Sequence, residues 1–83
     1  MGDLARTPKQ LGSVIRRARK ALGLTQTQLG SLAGLRQATI SLIETGNPET
    51  KLETLLKVLG ALDLEFQIAP RSKTSGSDLE TIF

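Results

Sequence analysis

Residues 25–46, TQTQLGSLAGLRQATISLIETG, decide the fold, because they read as one short helix, a glycine turn and a second short helix. Thr25 is followed three residues later by Gln28, a pairing that satisfies two backbone donors left over at a helix start. Leu29, Leu32 and Ala33 then lie inward, and Gly34 supplies a sharp turn into Leu35 and the next helix. In that helix Ile40 and Ile43 form the inward face, and Gly46 closes it.

Working outward, the same threonine device recurs at Thr7-Pro-Lys-Gln10 and Thr50-Lys-Leu-Glu53, marking the starts of a first and a fourth helix. Pro8 at the first helical position strengthens the earlier of these. The first helix places Leu11, Val14, Ile15, Ala18 and Leu22 on one face and ends at Gly23. In the fourth helix Leu52, Leu55, Leu56, Leu59 and Leu62 recur at helical spacing, giving the others an apolar surface to bury against. After Leu62 the period becomes alternating: Leu64, Phe66 and Ile68 face one side, Glu65, Gln67 and Ala69 the other, and Pro70 ends the run. A lone strand leaves backbone groups unsatisfied, so this segment is either an extended connection or a strand that pairs with the same strand of a second copy. Residues 71–77 are polar and serine-rich, which predicts disorder in the free protein, yet the chain closes on Leu79, Ile82 and Phe83. The expected plan is an all-α domain with one C-terminal strand: residues 1–6 an arm, 7–62 four to five helices, 63–70 the strand and 71–83 a tail.

The 83 residues suffice for one small domain of the kind that often gains stability by oligomerising. Cysteine and histidine are both absent, which removes disulfides, cysteine-based metal sites, histidine general bases and the common nucleophilic triads. An enzyme is not expected, nor any cofactor or metal. No apolar run approaches the ~20 residues of a membrane span, and residues 1–10 lack the apolar centre of a signal peptide, so no membrane association and a cytoplasmic location are expected. The net charge of +3 is unevenly placed, with Arg6, Lys9, Arg16, Arg17, Arg19 and Lys20 opposed only by Asp3 before residue 25. Such a basic end is a solvated helix face or a surface that attracts phosphate or acidic lipid.

A helix-turn-helix presents the N-terminal residues of its second helix to the DNA major groove. Here those residues are Arg36, Gln37, Ala38 and, one turn later, Ser41. Gln37 can bond adenine through N6 and N7, Ala38 can touch a thymine methyl, Arg36 can reach guanine or phosphate, and Ser41 tolerates several bases. The plainer reading makes them the polar face of a short helix. Their arrangement with Gln26 shifts the balance, because the start of the second helix, Thr25 and Gln26 with its exposed backbone N–H groups, can hold a DNA phosphate and so set the register of the third. Thr39 adds a candidate phosphate or sugar contact, although such hydroxyls often bond their own backbone. Arg16, Arg17 and Lys20 are candidates for sequence-independent phosphate attraction.

The pattern resembles the Cro and lambda-repressor type helix-turn-helix family (Xre family), in which a glutamine opening helix two lies eleven positions before one opening helix three, as Gln26 and Gln37 do. The resemblance implies that the first glutamine supports the second, which reads adenine. It also implies an internal ion pair between an arginine six residues before the helix-two cap and a glutamate nineteen after it, here Arg19 and Glu44, which makes Arg19 structural. Thr7 to Ala69 as a whole, including LRQATISLIE and TKLETLLKVLGALDLEFQIAP, looks like the HipB-type antitoxins. That resemblance implies a homodimer built through helical packing and an intermolecular two-stranded sheet, with Leu64, Phe66 and Ile68 at the sheet position. It implies repression of the chain's own operon by binding double-stranded operator DNA, and restraint of a HipA-type serine/threonine kinase toxin. Phe83 stands where the family's tail can carry a terminal aromatic that contacts the toxin. Two alternatives stay open: a stand-alone phage-type transcriptional repressor, and a protein-interaction scaffold that uses the motif without DNA.

Overall fold

The computed structural model describes residues 4–71. Four α-helices occur among them: α1 Pro8–Ala21, α2 Gln26–Ala33, α3 Gln37–Glu44 and α4 Leu52–Ala61. Thr7 caps α1, its hydroxyl accepting from the Gln10 backbone N–H at 3.1 Å, while the Gln10 side chain accepts from the Arg6 backbone instead of closing the box on Thr7. Thr25 forms the full reciprocal box with Gln28 at the start of α2.

At α4 the expected threonine cap does not form. Lys51 occupies the capping position without a side-chain bond, and the Thr50 hydroxyl donates to the Asn47 carbonyl at 3.2 Å. The cause is the Asn47–Pro48 turn, in which the Asn47 side chain accepts from the Glu49 N–H and draws Thr50 into the turn. Glycines with positive φ follow the expected breaks: Gly23 at 71° after α1, and Gly34 at 72° between α2 and α3. Beyond α4 the reversal is made by Asp63, at φ 59°, a conformation that aspartate tolerates better than most residues.

Each helix contributes to one core of Ile15, Leu29, Ile40, Ile43, Val58, Leu59 and Leu62. Helix α3 packs against α1 and α2, and α2 also meets α4. Two glycines set how closely these helices approach. A Cβ at Gly12 would lie 2.7 Å from the Glu44 carbonyl oxygen, and one at Gly30 2.6 Å from the Leu35 carbonyl oxygen. Neither was singled out from the sequence, although a glycine inside a helical pattern is the usual signal of such a contact.

Several residues expected in the core lie at the surface: Leu22, Leu32, Leu52 and Leu56 are all at least half exposed, whereas Val58 is fully buried. Helical spacing marks a wide apolar stripe on α4, of which Val58 and Leu59 are buried and Leu55 half-buried, while Leu52 and Leu56 stay exposed among the described residues. Leu64 to Arg71 form neither helix nor strand among the described residues. A strand needs a hydrogen-bonding neighbour, and no strand lies beside this segment among the described residues. Phe66 lines a cavity of about 270 Å³ together with Pro8, Leu11, Ile43, Pro48 and Leu55, whereas Ile68 is fully exposed. The expectations for the tail from residue 72 onward, Phe83 included, lie outside the described residues.

Candidate nucleic-acid interface

The turn at Gly34 brings the first residue of α3 against the first residue of α2. Gln37 Nε2 donates to Gln26 Oε1 at 2.6 Å. Gln26 Nε2 in turn donates to Glu44 Oε1 at 3.2 Å. Glu44, the last residue of α3, accepts from Arg19 through both oxygens, Nε to Oε2 at 2.6 Å and Nη2 to Oε1 at 3.0 Å. The third guanidinium nitrogen donates to the Leu24 carbonyl at 2.8 Å. A continuous polar chain therefore runs from the interior to the exposed mouth of α3.

Arg19 and Glu44 are each only 8 % exposed, so the pair is buried. Its two parallel bonds match the planar fork of arginine, which satisfies both carboxylate oxygens at once. The hydrogen bond to Glu44 raises the Arg19 pKa above the ordinary arginine value; burial opposes the shift and the Glu44 charge reinforces it. Arg19 is thus held inside the fold, away from any phosphate.

Of the proposed base-reading residues, Arg36 sits at the capping position of α3 and is exposed, as are Gln37 and Ala38; Ser41, one turn on, is half-buried. Thr39 is half-buried behind them. Thr25 is exposed, its hydroxyl oxygen accepting from the Gln28 backbone and its hydroxyl proton still available to a phosphate oxygen. Gln26 is half-buried and has one amide N–H beyond the bond to Glu44. Arg16, Arg17 and Lys20 share a groove on α1 with Ser13, Gln10 and Leu4. That basic groove draws its lining from α1 and the arm, and the glutamine cluster belongs to α2 and α3; the structure thus presents two separate polar regions. The link from Gln26 to Glu44 was missed from the sequence, since an eighteen-residue separation carries no periodic signal.

A helix-turn-helix family model matches residues 15–68 of the chain. Antitoxin HipB of Escherichia coli strain K12 is 32% identical over 74 residues, covering 89% of this chain and 84% of that protein. This chain belongs to the helix-turn-helix family that includes the HipB antitoxins. A helix-turn-helix transcriptional regulator of Haemophilus influenzae is 43% identical over 53 residues, and the chain spans 54% of that protein's length. The solved HipA–HipB–O2–O3 complex contains a chain that superposes with a TM-score of 0.76 at 33% identity, covering 86% of this chain and all of that one. The helix-turn-helix thus accounts for α2 and α3, with α1 and α4 as the supports that bury their inner faces. No helix among the described residues is long and apolar enough to cross a membrane.

Proposed function

We propose that this chain is a dimeric antitoxin that represses its own operon by reading operator DNA with α3 and restrains a HipA-type serine/threonine kinase toxin. The observation that carries the DNA part is the Gln26–Gln37 contact, which holds a base-reading amide at the exposed start of α3. Gln37, Arg36, Ala38 and Ser41 face base edges in this reading, while Thr25, Gln26 and Thr39 hold phosphate. Arg16, Arg17 and Lys20 add an attraction common to all sequences. The dimer forms through the uncovered apolar face of α4, Leu52 and Leu56, together with Leu64, Phe66 and Ile68 of segment 63–70 pairing with a second copy. Exposure of Leu52 at 62 %, Leu56 at 50 % and Ile68 at 103 % supports an unfilled interface there. Two α3 helices about 34 to 36 Å apart would then read a palindrome.

Toxin restraint rests on likeness to HipB and on the HipA–HipB–O2–O3 complex. It is stoichiometric, and Phe83 in the tail is the proposed contact.

An N-terminally tagged chain recovered from its native cells at moderate salt, with bound protein identified by native mass spectrometry and bound DNA by sequencing, tests both halves. Its own promoter together with a kinase is the expected result. Promoter DNA alone leaves a stand-alone repressor, and a protein partner without specific DNA leaves a scaffold.

A further inference from the structure

We infer that Glu44 is a specificity-determining positioning residue: through Gln26 it fixes which way round the Gln37 amide faces DNA. The inference rests on the base-reading role proposed for Gln37. An ionised carboxylate has acceptors only, so whatever bonds Glu44 must donate. Gln26 therefore turns its NH2 toward Glu44 Oε1, at 3.2 Å, and its carbonyl oxygen is left to face Gln37. That oxygen is again only an acceptor, so Gln37 must present its own NH2 to it, at 2.6 Å. The outward side of the Gln37 amide is thereby set as one N–H donor beside one carbonyl acceptor. Adenine offers the complement in the major groove, an N7 acceptor and an N6 donor. Guanine offers two acceptors, N7 and O6, and would suit the same amide only if it were reversed.

Arg19 secures the origin of this chain. Its bidentate bonds to Glu44 and its bond to the Leu24 carbonyl leave the carboxylate little freedom to rotate. The buried ion pair consequently does more than hold α1 to α3, because its acceptor-only end propagates a direction through two amides to the protein surface.

Glu44→Gln keeps the shape and an oxygen for Arg19 but adds a donor, which lets Gln26, and then Gln37, reverse. The test selects binding sites from randomised duplexes with the full-length wild type, Glu44→Gln and Gln37→Ala, checking by circular dichroism that each is folded. At the base position whose preference is lost in Gln37→Ala, the wild type is expected to favour adenine over guanine, and Glu44→Gln is expected to lower that ratio roughly tenfold, within the range of one bidentate contact. Affinity for scrambled duplex stays unchanged. A folded Glu44→Gln that keeps the wild-type ratio overturns the inference and leaves the DNA reading intact. A wild type that selects no sequence overturns the DNA reading itself, and one whose selected sequence is indifferent to Gln37→Ala overturns the base-reading role of Gln37 on which the inference rests. Should Glu44→Gln fail to fold, NMR of the free wild type decides: distinct, mutually close side-chain NH2 signals for Gln26 and Gln37 support the relay, and freely averaging signals overturn it.

Discussion

Nε2 of Gln37 lies 2.6 Å from Oε1 of Gln26, a bond that ties the first residue of α3 to the first residue of α2 across the turn between them. Two rotamer-rich side chains, Gln26 half-buried and Gln37 exposed, are thereby ordered before any DNA arrives, and the entropy of fixing them is not charged to binding. Gln37→Ala should reduce the ratio of operator to scrambled-duplex affinity by roughly tenfold, the scale of one bidentate contact, and leave scrambled binding nearly unchanged. Fluorescence anisotropy on both duplexes measures this. Equal losses on the two would remove Gln37 from sequence reading.

Neutralising Arg16 is expected to act in the opposite manner. Its side chain is exposed in the α1 groove, and the role proposed for it is phosphate attraction without base information. Arg16→Gln should weaken all duplexes alike and make the slope of log affinity against log salt shallower by about one. A loss confined to operator DNA would contradict the assignment.

Breaking the Arg19–Glu44 pair from one side strands a charge in the interior. Glu44→Leu should therefore destabilise the fold by roughly 3 kcal/mol, and the paired replacement Arg19→Met with Glu44→Leu should cost less than those two single changes added together. Urea unfolding of the four proteins forms the cycle. Strict additivity would mean that the two side chains do not interact energetically.

The same pair implies a flat pH profile on the alkaline side. Because the folded-state pKa of Arg19 is raised, its contribution is fully present below the ordinary arginine value and fades only as pH climbs through the raised one. With no histidine in the chain, unfolding free energy should vary by less than about 0.5 kcal/mol between about pH 6 and 9. A steep slope within that window would point to another titrating group.

Gly30→Ala should disturb the site from inside. Its Cβ would lie 2.6 Å from the Leu35 backbone oxygen, in the turn that aims α3, so relief requires moving the turn. A cost of about 1 to 3 kcal/mol is expected, with specific DNA binding falling even at temperatures where the variant is folded. Thermal unfolding and anisotropy together distinguish this from an innocuous surface change.

Leu56→Asp combined with Ile68→Asp places charge on two exposed apolar positions and should leave the monomer fold intact while shifting sedimentation from dimer to monomer. An unchanged sedimentation coefficient would move the interface elsewhere.

Much of this was legible in the linear order of residues because the signals are local. The Thr25–Gln28 box, the turn at Gly34 and the alternation of buried Leu29, Ile40 and Ile43 with polar neighbours depend on spacings of three or four residues and on one backbone conformation, which any helical segment expresses by itself. The Arg19–Glu44 and Gln26–Gln37 relations were suggested by resemblance to a family and not by periodicity. Local pattern misled where tertiary context competes with it. Thr50 looked like a cap until Asn47 claimed it, and Leu52 and Leu56 looked like core until the helices were placed, because an amphipathic stripe says which residues are apolar and not which of them a neighbour covers. Tertiary structure alone decided that Glu44 accepts from both Arg19 and Gln26, and that Gly12 and Gly30 let backbones meet. Those contacts join residues far apart in the chain, and their geometry exists only once the hydrophobic core has set the distance and angle between helices.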